Sequence, residues 1–373
     1  MDRTRRMGRH RATSIEVVPW YAHVVPGRDE LISSFLVRSA HRHGLSPYRF
    51  TAVTFPENVI WTRDIDSSLS DQALSLIAHY YGLTIDDVVA MTLFGFMGCA
   101  SSSDPQWPAC QRWINVIGIY HRLRLRFGLQ FCPLCLKDEP VFQRAWRLSF
   151  VFACPKHGIF LRDCCPSCEM AVMPHRCKHE PTRCWQCGTV LHSFDGKDKG
   201  SADTALAVQY RMLRCLDGHG YCLGPELLST PEFIHGASIM MRLIKQQLQS
   251  HPDLRPIHIC TVDIREETRR LRTHSREALF SVLNELLEDW PVNFLHFAHA
   301  AGMTQLAFRT CGELPNWLTA AVALLPERLR TRPRNNDKWL IDHVCRLEHV
   351  GGAVSWALRA QALMRAAKGI YEC

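Results

Sequence analysis

A chain of 373 residues with 47% hydrophobic and 21% charged residues has the composition of a folded protein, which excludes an intrinsically disordered chain. Its formal net charge of +8 favours a polyanionic partner. No uninterrupted apolar run reaches the roughly 18 residues that cross a bilayer, so we expect no membrane insertion. Seventeen cysteines, with no apolar signal core behind the first arginines, indicate free thiols in a reducing cytoplasm rather than disulfides.

The N-terminal part predicts a flexible basic arm over residues 1–22 and a helical domain over residues 23–100. The arm carries arginines that either contact phosphates or merely keep the terminus solvated. Within the domain, the triplets Ala40-x3-Gly44-Leu45 and Ala78-x3-Gly82-Leu83 resemble the turn of a helix-turn-helix, with a small residue where helices touch and a glycine at the bend.

The residues that follow the two turns differ in charge. Asp86 and Asp87 follow the second turn and would be repelled by phosphate, so we interpret that copy as a packing or partner-binding element. Tyr48 and Arg49 follow the first turn, and Arg49 is a candidate nucleic-acid contact. The alternative for this domain is a structural or protein-binding role.

Residues 101–127 are interpreted as a connector that ends in a basic strand. The segment SSSDPQWP is a turn-rich break. In HRLRLRF, arginine alternates with apolar residues, a period-2 pattern that predicts a strand with one basic face.

Residues 128–195 hold two sets of paired cysteine and histidine residues at metal-ligand spacing. Two ligands separated by two residues can bind one ion from a tight turn, and a second pair completes a tetrahedron. The segment VFQRAWRLSFVF between the first two pairs predicts a strand. We expect the first site to use Cys132, Cys135, Cys154 and His157, and the second to use Cys165, Cys168, Cys184 and Cys187.

Zinc is the expected metal at both sites, giving two structural Zn²⁺ ions per chain. Thiolate-rich sites with four filled positions suit a redox-inert ion, and an iron–sulfur centre is the minor alternative. Buried free thiols or disulfides are the alternative for the whole region. At the second site Cys164, His175 and Cys177 are also within reach, and Cys165 is preferred over Cys164 because it alone has two residues between itself and Cys168.

The C-terminal part predicts a helical connector over residues 196–280 and a second helix-turn-helix domain with a basic tail over residues 281–373. The run from Asp263 to Trp290 predicts a charge-dense, solvated helix followed by an apolar one that stops at Pro291. Ala298 and Gly302 mark the third turn. The candidate nucleic-acid contacts here are Thr304, Gln305 and Arg309 beside the turn, and Arg328, Arg330, Arg332 and Arg334 in the tail, whose alternative is an exposed basic loop.

Together these patterns predict a mainly α fold with small β zinc ribbons between two helical helix-turn-helix domains. The cysteine stretch, with DELISSFLVRSAHRHGLS before it, resembles the TniQ/TnsD family of transposition target-selection proteins. The match comprises RFGLQFCPLCL, then an interval containing Trp146, then FACPKHGIFLRDCCPSC. It covers about residues 25 to 190, and the length is closer to that of TniQ.

The resemblance implies a non-catalytic adaptor of a Tn7-like or Tn5053-like element, located in the bacterial cytoplasm and nucleoid-associated when acting. Its implied partners are target DNA or a CRISPR effector complex, an AAA+ ATPase regulator that brings in the transposase, and a second copy in a homodimer. The sequence contains no G-x4-G-K-[ST] phosphate loop and no H-E-x-x-H motif, so we expect no enzyme activity. The alternatives are a stand-alone zinc-containing helix-turn-helix transcription factor and a metal-dependent hydrolase.

Overall fold

The computed structural model describes residues 24–56, 60–97, 113–118, 125–178, 180–193, 203–255 and 262–327. Within these residues α-helices dominate, which confirms the predicted mainly α fold. The helices are α1 (Ile32–Arg42), α2 (Pro47–Thr54), α3 (Ile65–Ser68), α4 (Asp71–Tyr81), α5 (Ile85–Ala90), α6 (Phe94–Met97), α7 (Pro133–Asp138), α8 (Asp203–Arg214), α9 (Thr230–Ser250), α10 (Thr273–Leu287), α11 (Val292–Ala300) and α12 (Asn316–Val322). A hairpin of β1 (Tyr221–Leu223) and β2 (Glu226–Leu228) pairs antiparallel with Cys222 opposite Leu227.

Helices α1 to α6 form an N-terminal helical unit, residues 24–97, around a core that includes Phe35, Phe50 and Ile77. Local sequence starts these helices: the Ser46 hydroxyl accepts from the Arg49 N–H at the start of α2, where Pro47 takes the first helical position. At α5 a reciprocal capping box joins Thr84 and Asp87.

The three predicted helix-turn-helix turns share one backbone arrangement. In each, a glycine with positive φ follows the helix, and the next residue donates its N–H to the carbonyl of the buried alanine five positions earlier. The donor–acceptor pairs are Leu45 to Ala40 at 3.0 Å, Leu83 to Ala78 at 2.9 Å and Met303 to Ala298 at 2.7 Å.

The element after the third turn differs from the expectation. The sequence predicts a helix from about Thr304, whereas the structure has a single 3-10 turn, Gln305–Phe308, and α12 begins only at Asn316. Gly312 with φ of +79° and Pro315 interrupt the chain between them. The third turn therefore leads into a loop, not into a recognition helix.

The central region is built from short turns rather than strands. The strand expected over residues 141–152 is instead a 3-10 helix, Arg144–Arg147, flanked by single bridges of Gln143 to Glu30 and Leu148 to Ile114. A residue distant in sequence binds the backbone of this helix. The Arg144 N–H donates to the Asp29 carbonyl, and the Ala145 N–H donates to the Asp29 carboxylate. Of the expected basic strand, residues 119–124 lie outside the described residues, and Phe127 makes one bridge to Ile117.

The central region and the C-terminal helices share a second core. Trp113, Phe150 and Phe280 contact one another in it, and Trp290 packs against Trp317 at 5.0 Å. Helix α10 packs against α8 and α9, and it runs across residue 280, where the sequence suggests a boundary. None of the helices in the described ranges is long and apolar enough to span a bilayer.

Candidate metal centres

The first cluster brings together the side chains of Cys132, Cys135, Cys154 and His157. Their donor atoms all lie within 4.8 Å of one another. His157 Nδ1 is 3.3 Å from the sulfurs of Cys132 and Cys135 and 3.5 Å from that of Cys154, and the sulfurs of Cys135 and Cys154 are 3.5 Å apart.

These spacings can be compared with the edges of a metal tetrahedron. With Zn–S of about 2.3 Å and Zn–N of about 2.0–2.1 Å, the edges are about 3.5–3.8 Å long. The donors are therefore close to where one tetrahedral ion would hold them. The cluster offers one nitrogen and three sulfurs, a set that suits a structural zinc ion.

Two turns position these four donors. Cys132 and Cys135 lie at the start of α7, where the Leu136 N–H donates to the Cys132 carbonyl at 3.0 Å. Cys154 and His157 form the second turn, closed by the bond from the Gly158 N–H to the Cys154 carbonyl at 2.8 Å. Both cysteine thiols of the first turn are buried, so the site is shielded from solvent on that side.

The second nitrogen of His157 faces an acid on the outside of the cluster. Nε2 lies 3.9 Å from Asp138 Oδ2, which also pairs with Lys156 Nζ at 2.6 Å. That distance is too long for a hydrogen bond, and it is the contacts of 3.3–3.5 Å from Nδ1 to the three sulfurs that place Nδ1 at the metal position. Nδ1 is accordingly the nitrogen that would bind the ion.

The second cluster brings together Cys165, Cys168, Cys184 and Cys187, again with donors within 4.8 Å of one another. The sulfurs of Cys165 and Cys187 are 3.6 Å apart, as are those of Cys168 and Cys184. A four-sulfur zinc tetrahedron has edges of about 3.8 Å. This cluster is more open than the first, because Cys187 is exposed.

The three alternative ligands of the second site lie elsewhere. Cys164 accepts from Arg272 Nη2 at 3.2 Å, and burial raises the pKa of its thiol to about 11. Cys177 donates to the Arg183 carbonyl at 2.9 Å, and burial raises its pKa to about 12. His175 stacks on Trp61 at 5.2 Å, and burial lowers its pKa to about 3.

Three ligand turns share a left-handed residue directly after the second ligand. It is Gly158 with φ of +63°, Glu169 with +56° and Gly188 with +75°. Because a left-handed conformation strains residues that have a Cβ, the turn at Glu169 holds the least favourable residue of the three.

We expect Gly158→Ala to lower the free energy of unfolding by about 1–2 kcal/mol, since a Cβ is strained at this φ although no atom lies within 4 Å of it. Glu169→Gly is expected to leave the free energy of unfolding unchanged or to raise it slightly, because glycine adopts a positive φ without strain. Chemical denaturation of the metal-loaded chain measures both changes. A Glu169→Gly variant as destabilised as Gly158→Ala would contradict the explanation.

Filled by four protein donors, each cluster leaves no coordination position for water or substrate. A metal ion held in this way contributes to folding and does not activate a nucleophile. The donor sets therefore fit structural ions and give no support to the hydrolase alternative.

The candidate nucleic-acid residues lie in three different environments. Arg49 and Arg309 are exposed, on α2 and after the 3-10 turn respectively. Thr304 is buried, and the Gln305 amide donates to the carbonyl of Leu325 at 2.8 Å. The remaining four candidates, Arg328, Arg330, Arg332 and Arg334, lie outside the described residues, as does the basic arm over residues 1–22.

Local patterns miss a buried polar network beside the clusters. Arg147 is fully buried and binds Asp64 and Asp66 at 2.5 and 2.8 Å. It also donates to the carbonyl of Asn115, whose side chain accepts from the buried Arg276. These residues join the N-terminal helical unit to α10. In the sequence they stand out only as charged or polar residues, which does not indicate that they are buried together.

Residues 21–161 match the model of the TniQ family. This segment is a TniQ domain. The matched range comprises the N-terminal helical unit and the whole first cluster, whereas the CCPSC part of the sequence resemblance and the second cluster lie beyond residue 161. No curated protein matches the sequence. The TniQ match implies a role in target selection for Tn7-like transposition.

Proposed function

We propose that this TniQ chain is a non-catalytic target-selection adaptor of a Tn7-like or Tn5053-like transposition system. It links target DNA, or a CRISPR effector complex already on DNA, to an AAA+ ATPase regulator and thereby to the transposase. The observation that carries this proposal is the TniQ match over residues 21–161. We further propose that the chain acts at the nucleoid and can form a homodimer.

In this proposal each of the two clusters holds one structural Zn²⁺ ion. The support is the donor spacing of 3.3–3.6 Å and the completeness of both four-donor sets. The ions order a central region in whose described part backbone hydrogen bonds form isolated bridges and not paired strands. The rigid centre then holds the N-terminal and C-terminal helices where separate partners can reach them.

The experiment that tests the adaptor function is co-purification from the native host. A tagged chain is expected to recover an AAA+ ATPase, with target DNA or a guide-carrying complex in the same assembly. A chain that binds one DNA operator tightly and recovers no ATPase would instead support the transcription-factor alternative. Native mass spectrometry of the purified chain gives its oligomeric state.

For the DNA contacts we propose Arg49 and Arg309, because both are exposed and no described acidic side chain forms an ion pair with either. Thr304 and Gln305 then support the third turn rather than touch DNA. The tail arginines Arg328, Arg330, Arg332 and Arg334 remain proposed phosphate contacts.

Arg309→Ala and Arg49→Ala are each expected to weaken DNA binding about three- to tenfold at low salt, without a change in unfolding temperature. Each lost phosphate contact also lowers the salt slope of the binding constant by about 1. Fluorescence anisotropy over a salt series measures both effects. The matched control is Arg265→Ala, an exposed arginine already paired with Asp263 at 2.8 Å. Unchanged affinity in both variants would remove these arginines from the interface.

A further inference from the structure

The N-terminal helical unit rests on two loops that each connect the ligand pairs of one cluster. We name residues 136–153 the first inter-ligand loop and residues 169–183 the second. Both loops are closed by the metal ligands at their ends, since Cys135 and Cys154 flank the first and Cys168 and Cys184 flank the second. Their conformations therefore depend on whether the ligand pairs are held together.

The first inter-ligand loop makes polar contacts with the unit. The Leu31 N–H donates to the Phe142 carbonyl at 2.8 Å, and the Phe142 N–H donates to Ser34 Oγ at 3.0 Å. Arg144 Nε binds Asp29 at 2.8 Å. Further along, the buried Arg147 binds the two aspartates of the unit, Asp64 and Asp66.

The second inter-ligand loop contacts the unit through stacked aromatic rings. The His175 ring stacks on the Trp61 ring at 5.2 Å with 12° between their planes. The 3-10 turn that carries His175, Pro174–Arg176, also packs against α1 and α2. Each loop thus presents a different surface to the same unit.

The seam between the loops and the unit is separable. A cavity of about 20 Å³ opens along it, lined by residues of both sides that include Ser33, Asp66 and His175. Such a volume holds about one water molecule. Most buried residues of the unit also form a core of their own around Phe35 and Phe50, whereas Leu31 and Leu93 belong to the core of the central region. The unit can therefore stay folded when it is released.

We propose that metal occupancy of the two clusters controls the docking of the N-terminal helical unit onto the centre of the chain. The inference rests on the proposed metal ions and adds what they regulate. With both ions bound, the two loops present Phe142, Arg144, Arg147 and His175 together and fix the unit. Loss of either ion frees one loop and undocks that side, while the unit keeps its own core.

The test uses hydrogen–deuterium exchange of the full zinc-loaded chain, with metal content measured by native mass spectrometry. In Cys132→Ser, amides 142–147 and 29–34 are expected to exchange at least about tenfold faster, while the amides of α4 keep their protection. In Cys187→Ser the same acceleration is expected at residues 172–176. Both variants are expected to retain one ion.

A second variant keeps the test decisive if Cys132→Ser unfolds the whole chain. Arg144→Ala retains all eight ligands and removes one docking contact, so residues 142–147 are expected to exchange faster. Because coupling is reciprocal, less EDTA should then be needed to remove the first ion. The control, Lys156→Ala, lies beside His157 but breaks only the exposed pair with Asp138 and leaves the seam unchanged.

Two results separate this inference from the proposed function. Wild-type chain that binds no zinc would refute the metal sites themselves. Two bound ions, with seam exchange in the ligand variants equal to wild type, would overturn only the docking proposal. An unchanged EDTA midpoint in Arg144→Ala would overturn it as well.

Discussion

Replacing Cys132 with serine is expected to release one of two zinc ions and to unfold the central region around the first cluster. Cys132 Sγ lies 3.3 Å from His157 Nδ1, and its residue is fully buried. A serine hydroxyl is a poor substitute for a thiolate ligand, and binding of a structural zinc ion contributes on the order of 10 kcal/mol to folding. A loss of this size is comparable to the whole stability of most domains, about 5–15 kcal/mol.

The measurement is zinc content by native mass spectrometry together with the thermal unfolding curve. Cys177→Ser is the matched control, because Cys177 is also buried in this region but donates to the Arg183 carbonyl, a bond that a serine hydroxyl can keep. We expect the control to retain two ions. Two ions and a wild-type melting curve in Cys132→Ser would show that Cys132 is not a ligand.

Replacing Arg147 with methionine is expected to lower the free energy of unfolding by about 3–5 kcal/mol. The guanidinium is fully buried between Asp64 and Asp66, and Asp66 is itself 1% exposed. Removal of one partner leaves an uncompensated charge in the interior, which costs far more than the pair contributes. Urea denaturation of the zinc-loaded chain measures the loss.

The pH dependence of this loss gives a second readout. Burial raises the pKa of Asp66 to about 6 despite the arginine, so the folded state holds the proton more tightly than the unfolded state. The stabilisation from this proton is complete below about pH 4 and is lost as the pH rises through about 6. Without Arg147 the pKa rises further, so the destabilisation should be larger at pH 8 than at pH 6.

Two controls isolate the buried pair. Arg269→Met removes a half-exposed arginine paired with Glu267 at 2.9 Å, and a surface pair of this kind contributes about 0–1 kcal/mol. Adding Asp66→Asn to Arg147→Met should remove most of the difference between pH 6 and pH 8. Equal losses for Arg147→Met and Arg269→Met would contradict the role of the buried pair.

Local patterns were sufficient where short spacing decides the structure. The two-residue ligand spacing predicted which eight side chains would meet, and the Ala-x3-Gly triplets predicted three turns with the same backbone bonds. Both depend on residues within a few positions of one another. The TniQ family match confirms the resemblance that the cysteine stretch suggested.

Contacts between residues that are far apart in the sequence explain what local patterns could not predict. The segment around Trp146 has the composition of a strand, yet Asp29 and Asp64, distant in sequence, bind its arginines and hold it as a 3-10 turn. The sequence predicts that the run from Asp263 to Trp290 begins with a charge-dense, solvated helix, whereas Arg276 in this run is fully buried and binds Asn115 and Gln130. The sequence around Arg276 does not show this burial, because the partners Asn115 and Gln130 lie more than a hundred residues away.

The most direct test of the adaptor function is to map the insertions of the transposon in cells that contain or lack this chain. With transposase and ATPase present, we expect insertions at one preferred target when the chain is present, and few or scattered insertions when it is absent. Cys132→Ser should behave like the absence of the chain, and Cys177→Ser like the wild type. Preferred-site insertion at an unchanged frequency without the chain would contradict a role in target selection.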